Sequence, residues 1–115
     1  MNDRLNQGNY GQSNPLVVCP GNINYSGTSR IYIGDKIKKA MVCGSTSLCQ
    51  YQCILNGDRI VRNLIEIDGT GSLEGTGFTF KNAYTAVQIT SQEGGNPAKF
   101  TCNLCKFESN KRECD

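Results

Sequence analysis

Seven cysteines in a chain of 115 residues constrain the fold of this sequence more than any other feature. They stand at positions 19, 43, 49, 53, 102, 105 and 114. Such a density is foreign to compartments where thiols stay reduced, and it suits a small domain that supplements its core with bridges in an oxidising one. Cys19, Cys43, Cys49, Cys53, Cys102, Cys105 and Cys114 are therefore all disulfide candidates. Pairing six of the seven allows about a hundred arrangements, and the sequence does not choose among them. The competing chemistry is a structural zinc, for which Cys49 and Cys53 with Cys102 and Cys105 would offer four thiolates in two close pairs. The stretch Cys49-Gln-Tyr-Gln-Cys53 reads as strand rather than as a tight zinc knuckle, so no metal and no other cofactor is assigned.

A chain of this length makes one domain that buries roughly two-thirds of the surface its unfolded form exposes. Thirteen glycines among many Asn, Ser and Thr, with no Trp, suit short strands joined by turns rather than long helices. The net charge of +2 is far below the usual excess of a nucleic-acid-binding protein. No apolar run approaches the ~18 residues of a membrane span, and none resembles the core of a signal peptide. The expectation is a secreted monomer without a membrane partner, its leader already removed.

Residues 1–14 are polar and rich in Asn, Gln and Gly, and they read as a flexible N-terminal arm ahead of one domain over 15–115. Leu16 to Cys19 has strand composition, and Ile23 to Tyr25 with Ile31 to Ile33 reads as a hairpin about Ser26-Gly27-Thr28-Ser29. Asp35 is a plausible N-cap for a short helix over 35–43, because Ile37, Ala40, Met41 and Gly44 share a face at three- and four-residue spacing. Beyond it lie strand-like pieces at 51–55, 60–67, 78–80, 85–90 and 99–103, with Gly69 to Gly77 as a flexible loop. The fold class is α+β: an N-terminal β-hairpin, then one short α-helix packed on an antiparallel β-sheet, disulfide-stapled. No internal repeat shows at a solenoid period.

The chain contains no histidine, which removes Ser–His and Cys–His couples and the commonest proton shuttle near neutral pH. Glu66 and Asp68 would share a face of a strand, where a solvated edge explains them more simply than a pair of acid–base carboxylates. Gly69-Thr-Gly-Ser-Leu-Glu-Gly-Thr-Gly77 lacks the Lys-Ser/Thr ending of a phosphate loop. Lys36, Lys38 and Lys39 form a basic patch that would serve either phosphate or simple solvation. Asn24-Tyr25-Ser26 is a formal glycosylation sequon.

Two stretches carry a resemblance. Tyr32, Ile37 and Ala40 have the spacing found after the N-terminal hairpin in the small guanyl-specific ribonucleases of fungi. Ala86-Val87-Gln88-Ile89-Thr90-Ser91, Gly94-Gly95-Asn96 and Lys99-Phe100-Thr101-Cys102 follow the order of that family's last strands. The family's catalytic His falls on Ser91, its Arg on or near Gly77 and its Glu on or near Arg62, so each matched position has lost its chemical group. The combination resembles the ribonuclease-like secreted effectors of plant-pathogenic fungi. That resemblance implies a bridge from Cys19 to Cys102 and no ribonuclease activity. It also implies virulence or avirulence through binding a host plant protein or RNA, with recognition by an intracellular immune receptor and translocation into host cells.

Such a non-enzyme would act through surface, and the residues expected to meet a partner are Glu74, Gln92 and Glu93, on the two loops flanking the vacated site, with the basic helix face of Lys36, Lys38 and Lys39 as the next surface. The alternatives are a small extracellular hydrolase or toxin with a His-free mechanism, and a zinc-stabilised interaction domain.

Overall fold

The computed structural model describes residues 2–25, 30–44, 52–59, 61–90 and 97–114, with 112–114 given as backbone alone. A short helix, α1 (Asn2–Gln7), comes first. It is followed by β1 (Leu16–Val18), β2 (Gly21–Asn24), β3 (Ile31–Ile33) and β4 (Lys38–Cys43). Next come β5 (Cys53–Asn56), β6 (Asn63–Asp68), β7 (Ser72–Thr76) and β8 (Phe78–Lys81). The chain continues through β9 (Thr85–Thr90), β10 (Lys99–Asn103), β11 (Lys106–Glu108) and β12 (Arg112–Cys114).

Every third strand pairs, always in parallel. The first sheet runs β1-β4-β7-β10, the second β2-β5-β8-β11 and the third β3-β6-β9-β12. The chain therefore winds as a three-sided coil, a parallel β-helix of four turns. This corrects the α+β expectation of a hairpin and a helix on an antiparallel sheet: β2 and β3 lie in different sheets, and 38–43 is strand. The helical spacing of Ile37, Ala40 and Met41 was a coincidence of period. Lys39, Met41 and Cys43 alternate inward at strand period, and Lys36 has a φ of 64°, which stops a helix before it starts. The stretch 1–14 expected to be a loose arm contains the helix Asn2–Gln7, which buries Leu5 completely.

The core is built of stacked ladders. Leu16, Met41, Gly75 and Cys102 stand in register in the first sheet, as do Ile23, Leu55, Phe80 and Phe107 in the second. Ile33, Ile67 and Ile89 do the same in the third. Each strand is only three to six residues long, and strands such as β1, β3, β5 and β7 alternate buried with less buried positions, so their burial comes from the neighbouring turns of coil. The repeat is hidden in the sequence because the turns differ in length: residue 16 stacks on 41, 41 on 75 and 75 on 102.

Side-chain amides hold the corner between the second and third sheets. Asn82 Nδ2 donates to Asn56 Oδ1 at 3.0 Å. Asn110 Oδ1 accepts from the Ala83 amide at 3.0 Å, and its Nδ2 donates to the Phe80 carbonyl at 2.9 Å. At the corner between the third and first sheets the backbone crowds. A Cβ on Gly71 would lie 2.4 Å from the Gly34 carbonyl oxygen, and Gly69 has a φ of 62°.

Among the described residues the disulfides are Cys43–Cys53, joining β4 to β5, and Cys102–Cys105, at the corner between β10 and β11, while Cys19 is an exposed free thiol. The expected Cys19–Cys102 bridge is thus corrected. Cys19 follows β1 and Cys102 lies on β10, three strand spacings or roughly 14 Å away, beyond the reach of a disulfide. Cys49 lies outside the described residues, as does the side chain of Cys114.

Candidate functional site

Alternation along β4, β7 and β10 turns one set of side chains into the coil and the other set outward. On the outer face Lys38, Ser72 and Lys99 stand in one row across the three strands, and Ala40, Glu74 and Thr101 in the next. These rows form the floor of a cleft of about 340 Å³, and Gly11 and Gln12 of the segment after α1 form one of its walls. The segment is held in a turn by reciprocal backbone hydrogen bonds between Gly11 and Asn14. A smaller hollow of about 200 Å³ continues past Glu74 to Pro15, Val42 and Thr76.

Three of the residues expected from sequence to meet a partner, Lys38, Lys39 and Glu74, come together here. Lys36 lies on the exposed turn leading into β4. Gln92 and Glu93 lie outside the described residues, as does Ser91. The loop expected over 69–77 contains β7, and its Leu73 is buried while Ser72 and Glu74 point outward. Sequence reading missed Gln12, Ser72, Lys99 and Thr101. The signal for Ser72 was present as polar–apolar alternation in Ser-Leu-Glu-Gly-Thr, masked by the flanking glycines.

The lysines differ in what holds them. Lys39 Nζ donates to the Gly8 carbonyl at 2.6 Å, tying the N-terminal segment across the end of the coil. Lys38 and Lys99 are exposed, with backbones about 10 Å apart across Ser72. The cleft thus presents two outward cations, one carboxylate, the Ser72 and Thr101 hydroxyls and the Gln12 amide. None of its lining residues is aromatic.

The carboxylates weighed for acid–base work, Glu66 and Asp68, are engaged on the outer face of the third sheet. Glu66 pairs with Arg30 Nε at 2.5 Å, and Asp68 Oδ2 accepts from the Tyr32 hydroxyl at 2.6 Å. That hydrogen bond, with a little burial, raises the Tyr32 pKa. Burial pushes the Tyr25 hydroxyl up to about 12. Of the positions matched to ribonuclease catalytic groups, Arg62 is exposed ahead of β6 and Gly77 is the buried corner between β7 and β8. Among the described residues no group of three or more Cys, Asp or Glu is placed to hold a metal ion. Cys53, Cys102 and Cys105, three members of the weighed zinc set, are in disulfides. No described helix is long and apolar enough to cross a membrane.

Fold and surface together define a small disulfide-bonded parallel β-helix with a mixed-charge cleft on the outer face of one sheet. Comparison with protein-family models, with curated proteins and with solved structures found no match. The scaffold that the ribonuclease resemblance implies is not the one this chain forms, so no role is carried over from those enzymes.

Proposed function

We propose that this chain is a binding module for an acidic polysaccharide, held along the outer face of the first sheet. The observation that carries the reading is the row Lys38–Ser72–Lys99 set beside Glu74 and Thr101. Two exposed cations suit any polyanion, but Glu74 among them needs a ligand that also donates hydrogen bonds close to its acid groups. Sugar hydroxyls beside uronate carboxylates do so. The absence of aromatic residues from the cleft lining weighs against single-stranded RNA, which gains much of its affinity from base stacking. The two disulfides accord with an extracellular setting where such polymers occur. Action by binding, the expectation from sequence, is kept with a different partner.

The test is calorimetric titration with a polyuronate oligosaccharide, its neutral counterpart and a single-stranded RNA. The acidic sugar is expected to bind and the neutral one not. Lys38→Ala and Lys99→Ala should each weaken binding about tenfold, the worth of one charge-assisted hydrogen bond. Glu74→Gln should weaken it by a smaller factor. Equal binding of the neutral sugar, or RNA binding that depends on the same lysines, would overturn the polysaccharide reading.

A further inference from the structure

The two disulfides occupy opposite environments. Cys43 and Cys53 are both fully buried, with a turn of coil stacked on each side of their sheet positions. Cys102 and Cys105 are half-exposed on the last turn, which β10 and β11 end without a further described strand beside them. Their spacing is Cys-Asn-Leu-Cys, with Leu104 at a φ of 55° and half-exposed at the tip of the corner.

We infer that Cys102–Cys105 is a reversible thiol–disulfide exchange site that takes a small dithiol as its reductant. Exchange requires a thiolate to approach a sulfur in line with the S–S bond, and the half-exposed pair Cys102–Cys105 is open to solvent where the fully buried pair Cys43–Cys53 is not. In the forward step a dithiol thiolate attacks Cys105 Sγ and forms a mixed disulfide. The Cys102–Cys105 bond breaks, and Cys102 Sγ leaves as a thiolate that takes a proton from water. The reductant's second thiol, as thiolate, then attacks its own mixed-disulfide sulfur and releases Cys105, which is protonated in turn. The protein gains two electrons and two protons, and the dithiol becomes a cyclic disulfide. The coil need not open for this to happen. β10 stays paired with β7 over the whole register Lys99–Asn103, and Cys102 Sγ rests in the space over Gly75, 3.4 Å from where a Cβ would stand.

The experiment equilibrates the folded protein with graded reduced and oxidised dithiothreitol, blocks free thiols by alkylation and reads tryptic peptides by mass. Residues 100–106 carry both members of the exchange pair, and residues 40–59 carry Cys43 and Cys53 together with Cys49, so labels in that peptide are assigned to each cysteine by fragmentation. The expected result is that 100–106 acquires two labels at a dithiol-to-disulfide ratio roughly tenfold or more below that needed for Cys43 and Cys53. Circular dichroism should be unchanged at that point, and oxidised glutathione should restore the bond. Simultaneous reduction of both disulfides, reduction only with loss of the β signal, or two labels on 100–106 before any reductant is added would each overturn the inference.

Discussion

Asp35 occupies the position that local sequence marks as a helix cap, yet it caps nothing. Its Oδ1 accepts from the Thr70 backbone amide at 2.8 Å and from the Thr70 hydroxyl at 3.0 Å, joining the turn before β4 to the turn before β7. These bonds, the amide first, hold its carboxyl below the usual aspartate range. A folded pKa below the unfolded one contributes stability that is present above the unfolded value and is lost as pH falls through the folded one. The thermal midpoint should therefore fall as the solution is acidified from about pH 5 toward pH 2, and Asp35→Asn should flatten part of that acid limb. Glu108, lowered by Lys106, contributes in the same direction, so Glu108→Gln is the parallel measurement. An unaltered acid limb in both variants would remove these carboxylates from the account. The sequence singled out the right residue for the wrong role, because a cap and a long-range acceptor both call for a short side chain with a free oxygen.

At the level of elements, β8 carries the aromatic centre of the molecule. Phe80 is fully buried and lies 5.3 Å from the Phe107 ring, 6.1 Å from Phe78 and 6.1 Å edge-on from Phe100. It joins the third turn of coil to the fourth, so Phe80→Ala should cost about 3–5 kcal/mol in urea unfolding. Hydrogen exchange should show β10 and β11 losing protection before β4 and β5. A cost under about 1 kcal/mol would mean that the last turn packs independently of Phe80. The bounds of β9 and β10 were legible, because β9 is a run of β formers and β10 alternates polar Lys99, Thr101 and Asn103 with Phe100 and Cys102. β7 was not, since two of its five residues are Gly75 and the charged Glu74, and only its neighbours on β4 and β10 make it a strand.

For the molecule as a whole, the problem of a β-helix is its ends. The first turn would expose both its core and a row of unpaired backbone groups. α1 covers part of that end and pairs with β3 through side chains: Asn2 Oδ1 accepts from the Tyr32 amide at 2.8 Å, and Asn6 Nδ2 donates to the Tyr32 carbonyl at 3.0 Å. Leu5, fully buried, is the plug between them. Leu5→Ala should lower stability by about 2–4 kcal/mol and increase self-association of the folded protein, read by chemical unfolding and light scattering. An arm without a capping role would leave both unchanged. The sequence by itself determined that the chain is rich in cysteine and turn residues and has no histidine, and that several short runs are strands; it marked Lys38, Lys39 and Glu74 among the residues to meet a partner, while the helix it placed over 35–43 is a strand. These properties reside in residue type and in alternation over a few positions. Only the tertiary structure decided that the strands run parallel, that Cys43 joins Cys53, and that Lys38, Ser72 and Lys99 form one row. A short strand with one apolar face satisfies a hairpin and a coil equally well. The choice between them is made by stacking against residues a full turn of coil away, where turns of unequal length leave no period to read.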